Sequence, residues 1–179
     1  MINSTLCYIY RWPQAGTEGE RAGLPDREVL MLHRTRKKND INHDKWIGIG
    51  GKFEEGESPE DCVRREVLEE TGLTLGKVEY RGIVTFVSKT ADGVYYELMH
   101  LFWSDDFAEA DCLADKASDC DEGVLEWIPK DKMNELPHWQ GDEIFLKLID
   151  QKAPFFSLKL IYENDKLKKA VLNEQKLPL

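Results

Sequence analysis

Apolar residues along the chain fall in short runs with a period near two, broken by glycine, proline and charge. Residues 5–10 (TLCYIY) and 28–33 (EVLMLH) are rich in β-branched, aromatic and aliphatic side chains, and both predict strands. The segment between them, 13–26, holds three glycines and two prolines among charges and reads as a surface excursion. Residues 37–45 read as a second polar connection. Strands are also predicted over 78–88 and 95–103, with Ala91-Asp92-Gly93 as hairpin turn chemistry between them. Residues 104–122 carry eight acids and one lysine with little periodicity, which predicts a solvated loop leading into a short strand over 124–128. A helix follows over 141–151, then a strand over 155–162, and the polar tail reads as helical. No internal repeat or low-complexity segment interrupts this order.

A helix of a different kind lies in residues 51–73, GKFEEGESPEDCVRREVLEETGL. Ser58 can cap it, Pro59 suits its first turn, Glu60 and Asp61 complement the positive end of its dipole, and Gly72 can end it. Glu69 and Glu70 stand three and four residues after Glu66, so at about 100° per residue the three carboxylates share one face. Val63 and Val67 border that face and place the acids beside the buried stripe. Like charges crowded in this way call for a cation. An oxygen-only donor set suits Mg²⁺, with Mn²⁺ as a substitute, and a hard dication beside a diphosphate neutralises charge and activates water. The preceding loop, 46–52, is glycine-rich, so its backbone can approach closely and present a carbonyl or amides.

The composition narrows the partners. A length of 179 residues with 41% hydrophobic and 32% charged residues predicts one globular domain spanning 1–179. The net charge of −10 repels nucleic acid polymers and acidic membrane surfaces, and an anionic small substrate needs help from cations. Cys7, Cys62, Cys112 and Cys120 have no CxxC spacing, and no signal-like or membrane-spanning run is read, so reduced thiols in the cytoplasm are expected. His33, His43, His100 and His138 are scattered and read as structural. A monomer or a homodimer fits equally.

The segment resembles the signature of the Nudix hydrolase family, G-x5-E-x7-R-E-U-x-E-E-x-G-U with U apolar. It is matched by Gly51, Glu57, Arg65, Glu66, Val67, Glu69, Glu70, Gly72 and Leu73. Seven fixed identities in register arise by chance in roughly one such chain in a million. The resemblance implies an α/β fold of mixed α+β type, an α/β/α sandwich with a central mixed sheet and a loop-helix-loop signature. It also implies Mg²⁺-assisted attack of water on a diphosphate linkage. By the same resemblance Gly51, Glu66, Glu69 and Glu70 are metal ligands, Glu69 or Glu70 is also the base, Arg65 orients a glutamate, and Glu57 supports the ligands.

Beyond the signature the resemblance extends to the branch that hydrolyses oxidised purine nucleoside triphosphates such as 8-oxo-dGTP, through WIGIGGKFEEGES, DEGVLEWIP and LPHWQGDEIF. On that basis Glu122, otherwise one more loop acid, reaches the metal. Trp139 stacks on the base and Asp142 bonds its edge, while Thr5, Arg34 and Lys52 bind substrate. By themselves Trp139 and Asp142 are an ordinary aromatic and a helix-start acid, and Arg34 belongs to a basic cluster with Arg36 and Lys37. Ile47 and Gly141 depart from the branch, whose animal members carry an asparagine and an aspartate there. The signature is shared with hydrolases of ADP-ribose, dinucleoside polyphosphates and NADH. A regulator that binds nucleotide without turnover has no need of Arg65, Glu66, Glu69 and Glu70 together.

Overall fold

The computed structural model describes residues 2–12, 27–91, 93–109 and 119–179. The strands in chain order are β1 (Ile2–Arg11), β2 (Glu28–Arg34) and β3 (Trp46–Ile47), followed after the first helix by β4 (Leu73–Leu75), β5 (Glu79–Thr90), β6 (Gly93–Ser104) and β7 (Phe107–Glu109). Then come β8 (Asp119–Cys120), β9 (Gly123–Pro129), β10 (Phe156–Glu163), β11 (Lys166–Leu172) and β12 (Gln175–Lys176). Helix α1 is Pro59–Thr71 and α2 is Asp142–Asp150, with a 3₁₀ turn at Lys130–Glu135.

Among the described residues one sheet runs in the order β12-β11-β10-β5-β6-β1-β2-β9-β8, with β3 added to β2. It is mixed: β1 lies parallel to β6 and β10 parallel to β5, while the other pairs are antiparallel. The period of two gives β1 two buried faces. Thr5 meets Cys62 of α1 from one face, and Tyr8 from the other meets Phe145 of α2, with ring centroids 6.0 Å apart. The helices therefore sit on opposite sides of the sheet, as the α/β/α expectation required.

Helix α1 follows its sequence signals closely. Ser58 and Asp61 form a reciprocal capping box, Pro59 opens the first turn, and Gly72 ends the helix at φ 70°, where a side chain would be strained. The buried stripe is Cys62, Val63, Val67 and Thr71.

The tail departs from its helical reading. Residues 166–172 and 175–176 are β11 and β12, with β11 antiparallel to β10 and β12 antiparallel to β11. Asn164-Asp165 and Asn173-Glu174 have positive φ at both positions, the two-residue turn that joins twisted antiparallel strands, and Leu167 and Ala170 bury inward. The 104–122 reading also changes, since β7 and β8 occupy parts of it and β7 pairs with β4. Residues 110–118, including Cys112, and the loop 13–26 lie outside the described residues. Cys7, Cys62 and Cys120 are free thiols. Among the described residues no helix is long and apolar enough to cross a membrane.

Candidate active site

The loop before α1 is tied along β1: Gly51 O accepts from Thr5 N–H at 2.8 Å, and Cys7 and Ile49 exchange backbone bonds of 2.7 and 2.9 Å. Two glycines let the loop press on its surroundings. A Cβ at Gly50 would strike the Thr5 carbonyl, and one at Gly51 would strike the Glu66 carboxylate. The amide of Gly50 donates to Glu70 Oε2 at 3.2 Å. Glu70 is pushed up to about 7, first by burial and then by the charge of Glu66, with the Gly50 amide opposing.

Arg65 organises the rest of the signature. It grips Glu57 through two nitrogens, at 2.6 and 3.0 Å, reaches Glu66 at 2.8 Å and Glu69 at 3.1 Å, and donates to the Lys52 carbonyl at 3.0 Å. This guanidinium, with the Glu54 amide, holds Glu57 down at about 2. Its own proton is held more firmly than usual, chiefly by Glu57.

A cavity of about 820 Å³ opens beside the loop. Thr5, Arg34, Gly51, Lys52, Glu66, Glu122, Trp139 and Asp142, all marked by the sequence, line it. Arg65, Glu69 and Glu70 are not part of its wall. Four details revise the expectations. The Gly51 carbonyl is engaged by Thr5 N–H and faces the Cys62 thiol, so what this residue turns to Glu66 is its bare Cα. The Thr5 hydroxyl points to Cys62 Sγ, 3.5 Å away, because alternation along β1 aims it at α1. Glu69 is exposed and paired with Arg65, and Glu122 is paired with Arg34 and, at 2.7 Å, with Lys37. Trp139 is only 4% exposed: its Nε1 donates to Asn42 Oδ1 at 2.8 Å, Lys45 lies over its ring at 4.2 Å, and Phe86 and Tyr162 meet it edge-on. Its ring is thus an already engaged piece of wall.

Asp142 is buried at the start of α2, and burial pushes its carboxyl up to about 8. Gly141 has no room for a side chain, since a Cβ would meet Leu160 and the Tyr162 hydroxyl that accepts its amide proton. Ile47 lines the cavity as an apolar wall. The sequence reading missed Ser4, Phe86, Tyr95, Glu97 and Met99, and the loop 37–42, all of which line the cavity. Asp40 fastens that loop by accepting from Arg34 Nε at 2.8 Å and from the Asn42 amide at 3.0 Å.

The family profile described as NUDIX domain matches residues 23–149. The chain belongs to the Nudix family. It is 33% identical over 118 residues to an uncharacterized Nudix hydrolase of Bacillus subtilis, covering 65% of this chain and 68% of that one. It is 32% identical over 135 residues to an oxidized purine nucleoside triphosphate hydrolase of Danio rerio, covering 73% and 76%. Among solved structures, the MutT protein from Bacillus halodurans superposes with a TM-score of 0.75 at 25% identity, over 97% of this chain and 98% of that one. As a Nudix hydrolase with MutT-like structural neighbours, the protein acts on pyrophosphate bonds.

Nudix hydrolases generally use divalent metals. Among the described residues, no three acidic, histidine or cysteine side chains converge on one point. The expected set of Gly51, Glu66, Glu69, Glu70 and Glu122 is thus not assembled, because Arg65, Arg34 and Lys37 occupy three of its acids. Glu66 and Glu70 nevertheless fit a hard dication. They are oxygen donors, burial and then the charge of Glu66 raise Glu70, and the glycine cradle beside them is space that a Cβ would fill.

Proposed function

We propose that the protein hydrolyses a nucleoside triphosphate, preferably 8-oxo-dGTP, to the monophosphate and pyrophosphate, and so removes an oxidised precursor before it reaches DNA. The observation that carries this reading is the polarity of the cavity beside the glycine-rich loop. Arg34, Lys37, Lys38 and Lys52 give it a cationic wall next to Glu66, while Phe86, Trp139 and Asp142 give it an aromatic, carboxyl-bearing wall. A triphosphate suits the first and a base the second. The name of the Danio rerio relative supports the same substrate class.

In this reading Glu66 and Glu70 would hold Mg²⁺ or Mn²⁺, and Glu69 and Glu122 would join them on giving up their pairing with Arg65, Arg34 and Lys37. When bound, the cation neutralises phosphate charge and makes water more acidic. Arg34 and the lysines orient the phosphates, and Arg65 keeps the glutamates in place. The water oxygen bonds to phosphorus as the P–O bond to pyrophosphate breaks, and Glu69 or Glu70 takes the water's proton. A panel of nucleoside triphosphates, ADP-ribose and dinucleoside polyphosphates with Mg²⁺, scored for pyrophosphate against phosphate, tests it. Pyrophosphate release fastest from 8-oxo-dGTP is expected, and turnover of ADP-ribose alone would replace the assignment.

A further inference from the structure

Ser4 borders the cavity, is only 4% exposed, and its hydroxyl has no hydrogen-bond partner. A buried polar atom left unpaired is a standing cost that a ligand atom can relieve. Next to β1, the alternation of β6 turns Tyr95, Glu97 and Met99 to the same wall, and all three line the cavity. Met99 stands opposite Ser4, and Glu97 stands opposite Phe86 on β5.

Glu97 differs from the other cavity acids in what holds it. Glu66 and Glu122 are matched to arginine or lysine, whereas among the described residues no cation pairs with Glu97. The Tyr95 hydroxyl donates to its Oε2 at 2.7 Å, and among the described residues nothing donates to its Oε1. Tyr95 is itself braced edge-on against Phe86 with centroids 6.1 Å apart, and Phe86 packs on Trp139 at 5.1 Å. The Trp139 carbonyl accepts the Asp142 amide proton at 2.9 Å, so Asp142 joins this wall through the tryptophan. Burial keeps a proton on the Asp142 carboxyl at neutral pH, making it a donor, while Oε1 of Glu97 accepts.

We propose that Glu97, aimed by Tyr95, and the unpaired Ser4 hydroxyl read the edge of the bound base, and that they select a purine whose edge offers adjacent N–H donors beside a carbonyl, the guanine type. An adenine edge sets a ring nitrogen acceptor where guanine sets N–H, and a carboxylate facing that acceptor is left unpaired and buried. Selection therefore comes from a strand the signature does not include. Tyr95 is a positioning residue in this scheme, and Glu97 and Ser4 are specificity determinants. The inference rests on the nucleotide reading above, and its test does not require turnover.

Binding of dGMP, 8-oxo-dGMP and dAMP to the full chain is measured by calorimetry for the wild type and for Glu97→Gln, Tyr95→Phe and Ser4→Ala. The wild type is expected to bind the guanine nucleotides at least about tenfold tighter than dAMP, the scale of one hydrogen bond to a charged group. Glu97→Gln should bring that ratio to within about threefold, and Tyr95→Phe should fall between the two. Ser4→Ala should weaken guanine nucleotides by a few-fold, as expected for one neutral hydrogen bond. A ratio in Glu97→Gln within about twofold of the wild type, or a wild type that does not prefer guanine, overturns the proposal. Should Glu97→Gln fail to fold by circular dichroism, Tyr95→Phe, which removes one oxygen, decides alone. Absence of pyrophosphate release from every triphosphate would refute the triphosphate reading, while the monophosphate ratios still decide Glu97.

Discussion

The two ends of the cavity are built on opposite principles. At the signature end the polar groups come from one stretch, residues 48–70, and nearly all are matched: Arg65 alone joins Glu57, Glu66, Glu69 and the Lys52 carbonyl. At the base end the polar groups come from β1, β6 and α2 and are less fully engaged: the Ser4 hydroxyl is buried without a partner, and Glu97 takes the Tyr95 hydroxyl but, among the described residues, no cation. The difference teaches that the signature end is held ready by its own ion pairs, whereas the base end carries an unmet demand that a ligand can satisfy. A matched network costs little to maintain in the free protein. An unmatched one lowers stability and converts that cost into selectivity on binding.

The contrast can be broken at either end. The largest effect is expected at the signature, where Glu70→Gln keeps volume but removes a charge beside Glu66 and the Gly50 amide. Its kcat should fall at least about a hundredfold with little change in melting temperature. Retention of more than about a tenth of wild-type turnover would take Glu70 out of the site.

At the base end the clearest effect concerns stability and pH. Asp142 ordinarily titrates near 3.8 and is raised to about 8 in the fold, so the folded chain keeps a proton that the unfolded chain releases. Its contribution is full below pH 4, is lost as pH rises toward 8, and is level above that. The change is on the order of a few kcal/mol. Asp142→Asn should therefore flatten the fall in melting temperature between pH 5 and 8 seen in the wild type. Equal slopes in the two proteins would show that Asp142 is not buried as described.

A smaller effect sharpens the same wall. Asn42→Leu removes the partner of the Trp139 indole N–H and should cost about 1–2 kcal/mol, read as a lower melting temperature. It should also raise KM more than it lowers kcat, since the indole braces Phe86 on the base side. An equal loss in both constants would place Trp139 nearer the reacting phosphates.

The same division explains what the sequence made legible. Ser58, Pro59, Asp61 and Gly72 are local signals, and α1 formed between them; the helix period alone brought Glu66 and Glu70 to one face. Strands β1, β2, β5, β6, β9 and β10 followed from alternation and turn residues, whereas β3, β4, β7 and β8, two or three residues each, were too short to show a period. The tail was misread because Lys166, Lys168 and Lys169 mask its inward Leu167 and Ala170, although Asn164-Asp165 and Asn173-Glu174 marked its turns. Ser4, Tyr95 and Glu97 gave no local signal. They come together through the parallel pairing of β1 with β6, which no short window of sequence encodes. The loop 37–45 looked like a plain connection because its purpose depends on Arg34 and Trp139, from elements 97 residues apart in the case of Asn42 and its indole partner.

The central claim is metal-assisted cleavage of a nucleoside triphosphate between the first and second phosphates. It is tested most directly by incubating the chain with 8-oxo-dGTP and Mg²⁺ and separating the products, with and without EDTA. The account predicts 8-oxo-dGMP and pyrophosphate in equal amounts, no reaction in chelator, and recovery when Mg²⁺ is restored. Release of inorganic phosphate in place of pyrophosphate, or full turnover in chelator, would contradict it.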